Sequence, residues 1–262
     1  MTRDPRPRPP APRLSVRLAP WIRAWRAGLA PYDDVTPAVA GDDDHLCRDF
    51  PGTWRDVPLA EGLTVLADVD PDRIRLVLPA PGDPRGLPGP GPFTSAALLA
   101  GEGVIAGGLG LTPELEEHRS GSGDVWHTVT WRARPLPDEP PRDSHLPSAA
   151  EAEADLSTTL TSATEQLLSL EVARWRPELA QALTSLRRGG TGAELPPGYD
   201  PRSRRLYARA SVLDQVLSLA AGDPVGGAVT AHEAQQRSHA LRPLATACRR
   251  ALMAACNAPL RG

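Results

Sequence analysis

The sequence predicts an α+β protein: a small mixed or antiparallel sheet with helices, followed by a C-terminal antiparallel bundle of three or four helices. Three observations carry this. Val125, His127, Val129, Trp131 and Ala133 alternate with Trp126, Thr128, Thr130, Arg132 and Arg134, the two-residue period of a half-buried strand. Past residue 147 the period turns helical, with Leu156, Leu160, Ala163, Leu167 and Leu170 stepping by four and three. Between them, "RPLPDEPPRDSHLP" has the composition of a linker. The expected organisation is a disordered basic, proline-rich tail over 1–12, an α+β domain over 13–137, a linker over 138–147 and a helical bundle over 148–258.

Taken in order, Leu14, Leu18, Trp21, Trp25 and Leu29 mark one face of a first helix. Pro20 is expected at the start of its regular part, and Gly28 in its last turn. Asp33 or Asp34 caps a second helix ending near Gly41. "PLAEGLTVLADV" reads as a helix, "DPD" as a turn and "RIRLVLP" as a buried strand. Thr94 or Ser95 caps a helix to about Ala100, and "GEGVIAGGLGL" is open between strand and loop. "SGSGD" turns "VWHTVTWRAR" back on "LTPELEEH" as a hairpin, and Pro113 assigns that partner to a sheet edge. In the bundle, Asp200-Pro201 and the capping box Thr230 to Glu233 start helices. Gly189-Gly190 and Gly222 end them, and Pro177 and Pro243 kink two of them.

Lysine is absent, so all 29 basic side chains are arginine, the bias of a GC-rich genome, and a single arginine therefore carries little functional weight. Cys47, Cys248 and Cys256 follow no disulfide framework, which fits a reducing, cytoplasmic setting. Arginines interrupt the apolar run after the basic N-terminus, so no secretory signal is expected, and no segment spans a membrane. Charge is uneven: residues 1–30 hold seven Arg against one Asp, 32–72 hold eleven acids against two Arg, and 174–262 hold thirteen Arg against six acids. These segments can face one another or an outside partner.

The loop over 79–92 carries six prolines and four glycines. A phosphate loop presents consecutive backbone N–H groups beside a lysine, and here proline removes the donors while lysine is missing. The loop is therefore a stiff crossover or a rigid rim for a partner or ligand, with Asp83 and Arg85 as its only charges, able to pair locally. "GEGVIAG" matches a dinucleotide fingerprint only by its letters, and no cofactor is expected. The run Asp42, Asp43, Asp44, His45, Cys47 reads as a solvated turn or helix cap, and His232 with His239 lacks zinc spacing, so no metal is expected. The hairpin gathers Glu116, Glu117, His118, Asp124 and His127, with His127 facing inward beside Val129. The C-terminal arginines of "PRSRRLYAR" and "CRR" have only Tyr207 beside them, a weak nucleic-acid signal.

"LVLPAPGDPRGLPGPGPF" and "AVTAHEAQQRSHALRPLATACRRALMAACNAPL" resemble stretches of uncharacterised proteins of GC-rich actinobacteria, a resemblance covering residues 13 to 258 that implies no activity and no site residues. The expectation is a non-enzymatic cytosolic protein that binds another protein through the rigid 79–92 loop and its charge-asymmetric surfaces, with Asp83, Arg85, Phe93, Glu116 and His127 as the candidate partner or ligand surface and a homodimer open. The alternative is an enzyme or small-molecule binder with a cleft between the α+β part and the bundle, lined by the 79–92 loop and the hairpin carboxylates.

Overall fold

The computed structural model describes residues 13–137, 146–169, 194–221 and 231–261. The helices are α1 (Leu14–Arg26), α2 (Tyr32–Ala40), α3 (Leu59–Leu63), α4 (Pro92–Ala100), α5 (Ala149–Ser169), α6 (Pro201–Ala221) and α7 (Ala231–Cys256). The strands are β1 (Asp44–Arg48), β2 (Val57–Pro58), β3 (Ile74–Val77), β4 (Gly103–Ala106), β5 (Leu109–Arg119) and β6 (Val125–Pro135). They form one mixed sheet in the order β2-β1-β6-β5-β4-β3, antiparallel except where β1 runs parallel to β6. The α+β class is as the periodicities predict. The N-terminal tail, residues 138–145 of the linker, the series around Pro177, Gly189-Gly190, Gly222 and Thr230 lie outside the described residues.

The centre of the molecule is α1. Leu18, Ala19, Ile22 and Ala24 are fully buried, while Trp21 and Trp25 lie half-buried at its margin, so its buried surface is wider than the expected stripe. Pro20 sits inside the helix rather than at its start. Proline lacks the N–H that would bind the carbonyl four residues back. That carbonyl, on Val16, instead faces the Cys256 thiol, with Sγ 3.9 Å away. Gly28 stands past the helix end at φ 72, donating to the Trp25 carbonyl, so it helps stop α1 instead of weakening it.

Arg23 projects from α1 almost completely buried, at 3% exposure. Its Nη1 donates to the carbonyls of Cys256 (2.6 Å) and Ala258 (2.9 Å) and to the Tyr199 hydroxyl (3.1 Å), and its Nε donates to the Pro71 carbonyl. The last turn of α7 has no intrahelical donors for its carbonyls, and its dipole places negative charge there. A buried guanidinium answers both needs. At the other end of α1, the Ser15 N–H donates to Glu102, and Arg13 donates to the Gly101 carbonyl and pairs with Asp214 of α6 at 3.0 Å. Burial pushes the Glu102 carboxyl above its usual range.

The run read as an acidic turn contains β1, whose His45 and Cys47 point into the core while Asp44 stays exposed. The helix expected over "PLAEGLTVLADV" shortens to α3 and a single 3₁₀ turn at Thr64–Leu66, and α3 packs closely on Cys47. A Cβ on Gly62 would lie 2.4 Å from the Cys47 sulfur, so only glycine lets the chain pass this close. In the next strand of the sheet, the Trp131 indole donates to His45 Nδ1 at 3.1 Å. The proton of neutral His45 is thereby placed on Nε2, and burial lowers its pKa to about 4.

The β3 edge is closed by two side chains from the end of the chain, Asn257 and Met253. Leu76 N–H donates to Asn257 Oδ1 (2.8 Å), Asn257 Nδ2 donates back to the Leu76 carbonyl (2.9 Å), and Leu78 N–H meets the Met253 sulfur. The carboxamide stands in for a neighbouring strand. On the outer face, α4 lays Phe93 over β4 and β5, where a Cβ on Gly110 would approach its ring to 2.3 Å. The helix begins at Pro92, ahead of the expected Thr94 or Ser95 cap, because proline's missing N–H is no loss in a first turn.

Helices α5 to α7 form the expected C-terminal bundle. Ser148 and Glu151 cap α5 reciprocally, and Asp200 accepts from the backbone of Arg202 and Ser203 at the start of α6. The Cys248 thiol donates to the Ala210 carbonyl between α7 and α6. Leu156, Leu206, Ala251 and Leu252 share one continuous core with Leu18, Ile74 and Trp131, so sheet and bundle are packed around α1.

Replacing Arg23 by Met leaves buried carbonyls without donors, and urea unfolding should register a loss of about 3 kcal/mol. The control Arg26→Met, which removes one bond to the Val69 carbonyl, should cost under about 1 kcal/mol. For His45 the unfolded chain takes up a proton near pH 6.5 and the folded chain only near 4, so its contribution to stability is complete above 6.5 and is lost as pH falls towards 4. His45→Gln, which can still accept from the indole, should therefore flatten the stability profile across that window in urea titrations at successive pH values.

Candidate functional site

The structure separates the five residues that the sequence nominated. Over 79–92 the chain turns tightly at Gly82, where Ala80 and Asp83 exchange backbone hydrogen bonds. Asp83 pairs with Arg85 at 3.2 Å, as the local reading expects, and also with Arg250 (3.4 Å) and Arg249 (3.9 Å) of α7. Leu87 tucks against the small cluster of Val77, Phe93, Ala97 and Ile105. Phe93 is 1% exposed, so it anchors this crossover from beneath. Six prolines fix the backbone between these fastenings, and proline's restricted φ makes the crossover stiff.

Glu116 and His127 lie on the hairpin but on opposite faces. The register sets Glu117 across from His127 and Glu116 across from Thr128. His127 Nε2 lies 3.7 Å from Glu117 Oε2, and its Nδ1 lies 3.8 Å from Asp43 Oδ1. The inner face thus carries a row Asp43, His127, Glu117. The outer face carries the parallel row Asp44, Thr128, Glu116. Asp43 and Asp44 join this surface because β1 pairs with β6, a long-range contact that local sequence patterns do not reveal.

The hairpin outruns the rest of the sheet. β4 pairs with Leu109, Gly110 and Leu111 only, so from Pro113 onward β5 has β6 on one side and no strand on the other. Pro113 therefore occupies a local edge within a strand that is interior at its start, a refinement of the expected edge strand. Three of the five large hydrophobic side chains exposed among the described residues sit on this arm: Leu115 (50%), Val125 (42%) and Trp126 (46%). Trp126 stacks on His118 with ring centroids 5.4 Å apart, and His118 Nε2 lies 3.0 Å from the Thr128 hydroxyl, holding the indole in place. Farther along the outer face, Arg132 pairs with Glu114 at 3.0 Å, so the acids balance the guanidinium groups there.

A cleft of about 450 Å³ opens elsewhere, between the β3 edge and the bundle. Arg23, Arg75, Asp72 and Asp200 supply its charges, and Ile74 and Ala254 part of its apolar wall. Its location is the one expected for a ligand cleft, but neither the 79–92 loop nor the hairpin carboxylates line it. No local pattern signals this site, because its residues come from five distant segments. No group of three or more His, Cys, Asp or Glu side chains among the described residues is arranged to hold a metal ion, and no helix among them is long and apolar enough to cross a membrane.

Comparison with known proteins covers both halves of the chain. Residues 15–145 match the family model described as Rv1486c-like protein, N-terminal domain, and residues 150–253 match Rv1486c-like protein, C-terminal domain. Over 290 residues the chain is 31% identical to the uncharacterised protein Rv1486c of Mycobacterium tuberculosis (strain ATCC 25618 / H37Rv), an alignment covering 94% of this chain and 96% of that one. It is 28% identical to the uncharacterised proteins ML1804 of Mycobacterium leprae (strain TN) and MAV321 of Mycobacterium avium, covering 94% of this chain and 97% of each. No solved structure matches. These descriptions assign no activity, but the matches run nearly end to end, and the chain belongs to the Rv1486c-like family of actinobacterial proteins.

Proposed function

We propose that this chain is a non-enzymatic cytosolic protein-binding module whose contact surface is the free end of the β5–β6 hairpin, and that its partner presents a basic patch. The observation that carries the reading is the collection of Leu115, Val125 and Trp126 on one projecting arm, flanked by Asp43, Asp44, Glu116 and Glu117. Leu115 and Val125 lie on the inner face of the arm and Trp126 on the outer. Exposed apolar groups rimmed by charge are the usual composition of a protein interface, and tryptophan is among the residues that dominate binding energy. The acidic rim disfavours phosphate and favours arginine or lysine on the partner.

The charge layout along the chain supports the same reading. Among the described residues, the acidic segment 32–72 meets the basic N-terminal segment in one ion pair, Arg23 with Asp72 at 4.0 Å, so its acids are largely left to face outward. Cys47, Cys248 and Cys256 are all free and buried, in keeping with a reducing compartment. On this reading the stiff 79–92 crossover is scaffold, and Asp83 serves to fasten it to α7.

The test is native mass spectrometry of the tagged chain recovered from its own host at physiological salt. A stoichiometric basic partner should accompany the unaltered chain, and Trp126→Ala or Leu115→Asp should weaken the complex about tenfold or more. Trp54→Ala, which changes an exposed tryptophan off the arm, should leave it intact. Recovery of the chain without protein, or a partner indifferent to all three changes, would contradict the proposal.

A further inference from the structure

We infer that the cleft between the β3 edge and the bundle is a binding site for a small zwitterion, a free amino acid with an apolar side chain. The inference is independent of the partner surface on the hairpin. It starts from the incomplete compensation of Arg23. That guanidinium is 3% exposed, and its Nε and Nη1 are engaged by neutral oxygens. The end of α7 contributes roughly half a negative charge through its dipole. The one carboxylate near Nη2 is Asp72, 4.0 Å away, beyond hydrogen-bond distance, with its side chain 87% exposed. A buried guanidinium in this state gains from a second anionic oxygen delivered from the cleft.

Arg75 also lines the cleft, is half-buried and has no ion pair with another described residue, so it adds a second guanidinium charge to the wall. The opposite sign is present as well. Asp72 is committed to nothing closer than Arg23, and Asp200, although it caps α6, keeps its negative charge in the lining. Two carboxylates in the wall disfavour a dianion such as phosphate and offer a place for an ammonium group. Leu146, Ala149 and Pro259 give the lining apolar surface that a ligand can reach. A volume of about 450 Å³ falls within the range of small-molecule sites and suits a metabolite of this size.

Arg23 also holds α1 to α7, so the test leaves it in place and uses Arg75→Gln and Asp72→Asn. Isothermal titration of the full chain with the common amino acids, one at a time, should find at least one apolar amino acid that binds with one-to-one stoichiometry. Arg75→Gln should weaken it about tenfold and Asp72→Asn about fivefold, the effect of losing a charge-assisted hydrogen bond, with thermal unfolding unchanged. The carboxylate-only and amine-only counterparts of the same molecule should each bind about tenfold more weakly than the zwitterion. The inference fails if none of the amino acids binds, if binding ignores both substitutions, or if inorganic phosphate or the carboxylate-only counterpart binds as tightly as the zwitterion.

Discussion

A guanidinium buried at 3% exposure cannot shed its charge, so the chain around Arg23 has to supply acceptors from several directions. They come from the end of α7, the start of α6 and the turn before β3. Satisfying one side chain therefore fixes where the bundle meets the sheet. It also places α1 between them, and α1 accordingly has few exposed positions. The Tyr199 hydroxyl, which donates to the same Cys256 carbonyl, has its pKa raised by burial and so stays a neutral donor in this arrangement.

The sheet's two ends are treated differently, and this decides which surfaces are free. At β3 the Asn257 carboxamide satisfies an N–H and a carbonyl that a further strand would otherwise take, and it reaches them because Arg23 has already located the end of α7. At the far side β2 is two residues long, too short to template another strand. The open stretch of edge lies on β5 beyond Pro113, where proline and glutamates guard the backbone against indiscriminate pairing. The protein thus closes one edge with its own helix and leaves a charged, apolar-tipped arm standing clear of the core.

Local pattern made the hairpin, the first two helices and the bundle legible, because each is set by residues close together in the chain. Strand β1 was hidden, since Asp42, Asp43 and Asp44 resemble a solvated turn and the pairing that orders them comes from β6, some eighty residues on. Pro20 misled for a related reason: its helix continues because a thiol from the other end of the chain faces the orphaned carbonyl. At the site, the hairpin carboxylates were visible, but their faces depend on register, and a shift of one residue exchanges Glu116 for Glu117 opposite His127. Arg75 and Asp72 gave no sign at all, because nothing in a sequence free of lysine distinguishes one arginine from the next.

The central claim is that α1 and Arg23 make sheet and bundle one cooperative unit. Native-state hydrogen exchange of the full chain in low urea tests it most directly. The slowest amides of α1, β3 and α7 should exchange through a single opening, with one free energy and one urea dependence. Exchange of α6 and α7 through a separate, lower-energy opening, while α1 and β3 remain protected, would contradict it.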